Sequence, residues 1–110
     1  MPMQISVGGN YSVIGHEAIT VSTAAIGPSL TTAFPGGVGV ADAYYAYFTV
    51  ETNPVRFWLD GASNASPTAS VGHLLPAGSI LEVHGNVNIK NIQFISQNGS
   101  SATVFASYGR

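Results

Sequence analysis

No stretch of about a dozen residues in this chain holds a 3.6-residue apolar period, because Gly, Pro or an Asn/Ser cluster interrupts every candidate. The interruptions come at short, even spacing. Gly8-Gly9-Asn10, Pro35-Gly36-Gly37, Asn53-Pro54, Asp60-Gly61, Pro76-Ala77-Gly78, Gly85-Asn86 and Asn98-Gly99 separate runs of β-branched and aromatic residues too short for helices. That rhythm predicts an all-β chain. The expectation is one antiparallel β-sandwich domain over residues 1–110, jelly-roll or immunoglobulin-like, with about seven to nine short strands and no helix. Residues 1–15 are expected to form an extended arm or an edge strand, with Met3–Val7 as its strand-like part.

Alternation assigns the faces. In His16–Thr23, Ile19 and Val21 alternate with Thr20 and Ser22, as in a half-buried strand. Ser29–Phe34 is a weaker strand. Ala41–Glu51 is the most aromatic run, with Tyr45 and Tyr47 on one face and Tyr44, Phe48 and Val50 on the other, which suits a strand covered on both sides. The Asn53-Pro54 turn leads into Val55–Asp60, with Val55, Phe57 and Leu59 inward and Arg56 and Trp58 outward, so the two runs read as a hairpin. Val71–Leu75, Ser79–His84, Ile89–Ser96 and Ala102–Tyr108 complete the strands, the last two joined by Asn98-Gly99 as a second hairpin.

Only eight side chains carry a permanent charge, 7% of the chain, against about a quarter in ordinary domains. From Val55 onward they are Arg56, Asp60, Glu82, Lys90 and Arg110. Three cations and a net charge of −2 cannot form the basic surface that a nucleic-acid partner requires. With no cysteine, disulfides and thiolate metal sites are excluded. The first residues lack a basic, apolar signal pattern, and no apolar run is long enough for a membrane helix, so synthesis in the cytoplasm is expected. A surface with so little charge does little to repel neighbours, which points to a protein that works in an assembly.

The residue types that carry chemistry are scattered. His16, His73 and His84 lack metal-ligand spacing, although Glu82 and His84 share a strand face; His73 reads as a structural hydrogen-bonding residue. Gly36-Gly37-Val38-Gly39 is not followed by the Lys and helix of a phosphate loop, and no Gly-x-Ser-x-Gly elbow occurs. Asp60-Gly61 reads as turn chemistry, with Asp60 tolerating a left-handed backbone. The expectation is a non-enzymatic protein without cofactor or metal. Tyr44, Tyr45, Tyr47, Arg56 and Trp58, on what read as neighbouring strands, are the candidate interface or ligand-stacking residues, because an exposed aromatic patch marks a protein interface or a sugar platform.

The second half adds a resemblance. It carries Thr49-Val50-Glu51-Thr52-Asn53-Pro54-Val55-Arg56 before an aromatic pair, then Asp60-Gly61 and Pro67-Thr68-Ala69-Ser70-Val71-Gly72-His73-Leu74-Leu75 with Ala77-Gly78. It closes on Ile89, Ile92 and Ile95 and on Ala102-Thr103-Val104-Phe105-Ala106-Ser107-Tyr108. Over about sixty residues it resembles small virion-associated proteins of tailed bacteriophages and prophages. The resemblance implies a place on a phage particle and a sandwich fold, with Asp60, Gly61, Pro67 and Gly78 as turns and Val55, Leu75, Leu81 and Phe94 as packing positions. Trp58 and the inserted-looking Ser63–Ser66 stand apart from that pattern. The function expected is structural: a capsid decoration or cement protein, self-associating as a homo-oligomer such as a trimer, against the major capsid or another virion protein. The alternative is a carbohydrate- or receptor-binding, lectin-like module of a virion fibre, with Trp58 and a nearby Tyr stacking on a sugar face and Asn64 and Asp60 hydrogen-bonding its hydroxyls.

Overall fold

A computed structural model describes residues 11–110. The expected strand Met3–Val7 lies outside the described residues. Seven strands are formed among the rest: β1 (Val13–Val21), β2 (Tyr45–Glu51), β3 (Val55–Trp58), β4 (His73–Leu75), β5 (Ile80–His84), β6 (Gln93–Ser96) and β7 (Ala102–Gly109). They make two antiparallel sheets, β1-β7-β2-β5 and β4-β3-β6. The expected β-sandwich is therefore what the chain builds.

The pairing is nested from the chain's ends inward. β1 pairs with β7, Ile26 bridges Phe94 of β6, β2 pairs with β5, and β3 pairs with β4. The chain behaves as one long hairpin, and rolling it up adds the β2–β7 and β3–β6 ladders. This is the jelly-roll winding, with its second strand reduced to the two backbone bonds between Ile26 and Phe94 (2.9 and 2.8 Å).

Both expected hairpins are overturned by this winding. β2 and β3 lie in different sheets, as do β6 and β7. Thr52–Pro54 and Gln97–Ser101 are crossovers that carry the chain over the sandwich, a distance of about 10 Å between sheets. The two crossovers brace each other: Gln97 N donates to Pro54 O (3.1 Å) and Asn53 Nδ2 to Ser101 O (2.8 Å). Thr52 holds φ at 82°, a left-handed value that a β-branched side chain resists.

Helix was not expected, yet two short pieces form. A 3-10 turn covers Val40–Asp42, where Asp42 Oδ2 accepts from Gly39 N at 2.9 Å, so the aromatic strand starts at Tyr45 rather than Ala41. Helix α1 (Asn86–Asn91) replaces the first half of the expected strand Ile89–Ser96. Its Ile89 and the following Ile92, three apart, are both fully buried, a helical spacing hidden inside an apolar alternation. Asn86 Nδ2 donates to Ala41 O and Ala43 O (2.8 Å each), tying α1 to the 3-10 turn. Ser29–Phe34 forms no strand; only an Ala33–Gly39 bridge survives there. Val71–Leu75 is shortened to β4, with Val71 in a separate bridge to Thr68.

The core lies between the sheets, with Ile19, Val21, Phe48, Val50, Val55, Val83, Phe94, Val104 and Tyr108 at its centre. Its aromatic rings form a chain across the sandwich. Phe34 stacks on Tyr108 (6.2 Å), Phe48 meets Tyr108 and Phe94 edge-on (6.2 and 5.3 Å), and Phe57 tilts against Phe94 (6.3 Å). The packing positions implied by the resemblance fall here, with Val55 and Phe94 fully buried and Leu75 and Leu81 at the margin. Leu59 is the exception among residues expected inward: it follows the end of β3 and is 41% exposed.

Among the described residues, no helix is long and apolar enough to cross a membrane.

Candidate functional site

The five candidate residues divide between the two sheets, so they form no single patch. Tyr44 precedes β2 and is 53% exposed, its backbone N bonded to Gly109 O. Tyr45 and Tyr47 project from β2 on the outer side of the four-stranded sheet, as their alternation requires. Tyr45 is nonetheless buried, because Tyr11 stacks on it (5.0 Å) and the His84 ring meets its edge (5.3 Å). Arg56 and Trp58 project from β3 on the outside of the other sheet.

The outer face of the four-stranded sheet is built by register. One row across β1, β7, β2 and β5 is Ala18, Phe105, Thr49 and Ile80. The next is His16, Ser107, Tyr47 and Glu82. Phe105 stands near the middle of this face and is 46% exposed. The carboxylates, Glu82 on edge strand β5 and Glu51 at the end of β2, lie at its periphery, and no Lys or Arg belongs to these strands. On the same face Tyr11 Oη is 3.3 Å from His84 Nδ1, and His84 Nε2 is 3.8 Å from Glu82 Oε2.

Around β3 the geometry differs. Arg56 turns back on its own chain: Nε donates to Ala69 O (3.0 Å) and Nη1 to Gly72 O (2.8 Å). These two bonds pin the loop before β4. His73, expected to hydrogen-bond, packs instead by its ring between Phe57 (5.2 Å) and Trp58 (5.0 Å, edge-on). Asp60 lies in a turn as expected, although without the left-handed backbone. Its carbonyl accepts from Ser63 N (3.1 Å) and Asn64 N (2.8 Å), while Oδ2 accepts from Asn64 Nδ2 (2.8 Å). Gly61 is needed for closeness, since a Cβ there would stand 2.8 Å from Gln93 Cβ.

Two grooves flank Trp58 and His73. One, of about 360 Å³, is lined by Trp58, Asp60, Asn64, Ala65 and Val71. The other, of about 430 Å³, opens between β4 and β5, each an end strand of its sheet among the described residues, and is lined by Phe57, Leu81, Val83, His73, Glu82, His84 and Asn88 among others. Among the described residues, no three His, Asp or Glu side chains are grouped to hold a metal ion. His16, His73 and His84 stand on three different strands, and none hydrogen-bonds a described Ser.

Sequence reasoning passed over one polar contact of consequence. Glu17 shares the inward phase of Ile19 and Val21, and its Oε2 accepts from the buried Tyr108 hydroxyl and from Ser29 N (3.1 Å). Burial first, then the Glu17 hydrogen bond and charge, hold the Tyr108 phenol far above its ordinary value. A Glu in phase with core residues was the available signal.

No protein-family model, no curated protein and no solved structure matches the chain.

Proposed function

We propose that this chain is a non-enzymatic structural protein of a tailed-phage particle, a capsid decoration or cement protein that self-associates and packs on the shell. The observation that carries this reading is the outer face of the four-stranded sheet, where Phe105, Tyr47, Ala18, Thr49 and Ile80 present apolar and hydroxyl groups with carboxylates only at the periphery. Burying such a face removes little charge from water, so association costs little desolvation. Among the described residues, β1, β4 and β5 stand at sheet ends without a second strand partner, and an assembly would cover their backbone groups. The resemblance of the second half to virion-associated phage proteins supplies the setting. Jelly rolls serve in viral shells among other places, a likeness of fold that lends general support.

The partner in the first instance is a second copy of the chain, in a closed homo-oligomer such as a trimer, and then the major capsid or another virion protein. Light scattering across a concentration series tests this. The purified chain is expected as a discrete oligomer, and Phe105→Lys, which adds charge to an exposed site without touching the core, is expected to shift it to monomer. A wild-type chain that stays a monodisperse monomer at high concentration overturns the reading.

A further inference from the structure

The groove beside Trp58 is lined by residues that stand outside the hydrophobic core. β3 ends at Trp58 with its indole half-buried on the outside of the three-stranded sheet, and His73 meets the ring edge-on at 5.0 Å. Asp60, Asn64, Ala65 and Val71 complete the lining of a groove of about 360 Å³. That is the small end of the range that holds small molecules.

Both walls are fixed before any ligand arrives. The first is held by the two bonds onto the Asp60 carbonyl, by Ala62 N on Asn91 O (2.9 Å), and by Gly61 pressed against Gln93. The second is held by Arg56 through Ala69 O and Gly72 O. The Asn64–Asp60 side-chain bond uses Oδ2 of the carboxylate and Nδ2 of the amide. Among the described residues no protein group bonds Asp60 Oδ1 or Asn64 Oδ1, so two acceptors stay available on residues that line the groove with Trp58.

An aromatic face with a carboxylate and an amide beside it suits a ligand with one apolar face and a rim of hydroxyl donors. Pyranose sugars have that shape: axial C–H groups on one face and equatorial O–H groups at the edge. Among the described residues, the single charged side chain of the groove is Asp60, which repels phosphates and acidic sugars. A quaternary ammonium ion would be better held by several aromatic faces, and Trp58 is the only aromatic residue among the described ones that line this groove. We propose that the groove formed by Trp58, Asp60, Asn64, Ala65 and Val71 is a subsite for one ring of a neutral glycan, the indole stacking on the sugar face and Asp60 and Asn64 accepting from its hydroxyls. This goes beyond the packing role and does not depend on it. A single-ring site binds weakly alone; several copies in an oligomer would raise its hold on a glycan-coated surface.

The chain has one tryptophan, so its fluorescence reads the groove directly. The full chain is titrated with neutral disaccharides of glucose, galactose, mannose and N-acetylglucosamine, with tetramethylammonium chloride as the competing chemistry. At least one disaccharide is expected to change the emission saturably. Asn64→Ala, a change in an exposed loop, is expected to weaken that binding about tenfold, the loss of roughly one polar contact. By calorimetry, Trp58→Phe keeps part of the binding and Trp58→Ala loses it, circular dichroism confirming that both are folded. The proposal is overturned if no disaccharide perturbs the emission into the high millimolar range, if tetramethylammonium alone saturates the signal, or if folded Trp58→Ala binds like wild type. None of these results bears on the oligomeric state, so the packing role stands or falls separately.

Discussion

Glu17 and Tyr108 set the most consequential polar contact in the core. The Tyr108 side chain is fully buried, and its hydroxyl donates to a carboxylate that also accepts from Ser29 N. In the unfolded chain the phenol ionises near pH 10, while in the folded chain burial and Glu17 keep it protonated well beyond that. The folded state therefore binds one more proton above pH 10. Its contribution is intact below that pH and is lost as pH rises, by about 1 kcal/mol between pH 10 and pH 11 for this one group. Denaturant unfolding at stepped alkaline pH should show that slope in the wild type and its reduction in Tyr108→Phe. Identical slopes would contradict the assignment. A second contact of this scale is Gly15, whose position admits no side chain, because a Cβ would lie 2.3 Å from the Phe34 ring. For Glu17 the sequence offered only its shared phase with Ile19 and Val21, and for Gly15 no signal; each takes its meaning from a partner 91 or 19 residues away.

Among the elements, strand existence and face were largely legible, because alternation is a local property. Ile19, Val21, Val55, Phe57, Leu81, Val83 and Phe94 all point where their phase sends them. Partner choice was not legible. Asn53-Pro54 and Asn98-Gly99 signal a reversal, but a reversal within a sheet and a crossover between sheets use the same turn residues. What decides is that Phe48 and Val50 of β2 and Val55 and Phe57 of β3 face one core from opposite sides. The strain of the first crossover falls on Thr52, exposed and at φ 82°. Replacing Thr52 by Gly relieves roughly 1–2 kcal/mol of backbone strain and costs up to about 1 kcal/mol in unfolded-chain entropy. A rise in the denaturation midpoint at unchanged m is the expected result; a fall would show that the Thr side chain contributes more than its backbone costs.

For the whole molecule, the scarcity of charge acquires a location. The fold gathers Phe105, Tyr47, Thr49 and Ile80 from three strands onto one outer face and leaves Glu82 and Glu51 at its periphery. The aromatic residues singled out from the sequence do not form one group, because the second sheet carries Trp58 away from the tyrosines. Phe105 shares its phase with the polar Thr103 and Ser107, which marks it as outward, and the pairing of β7 between β1 and β2 sets it near the middle of the face. Trp58, Asp60 and Asn64 do meet, as a short strand and the loop leaving it would allow. The central claim is that the outer face of the four-stranded sheet packs against neighbours in a particle. Electron cryo-microscopy of the native particle tests it most directly. The account predicts the jelly roll on the shell, with Phe105 and Tyr47 enclosed in a contact between copies. Particles that lack the chain, or that carry it with Phe105 and Tyr47 facing solvent, would contradict it.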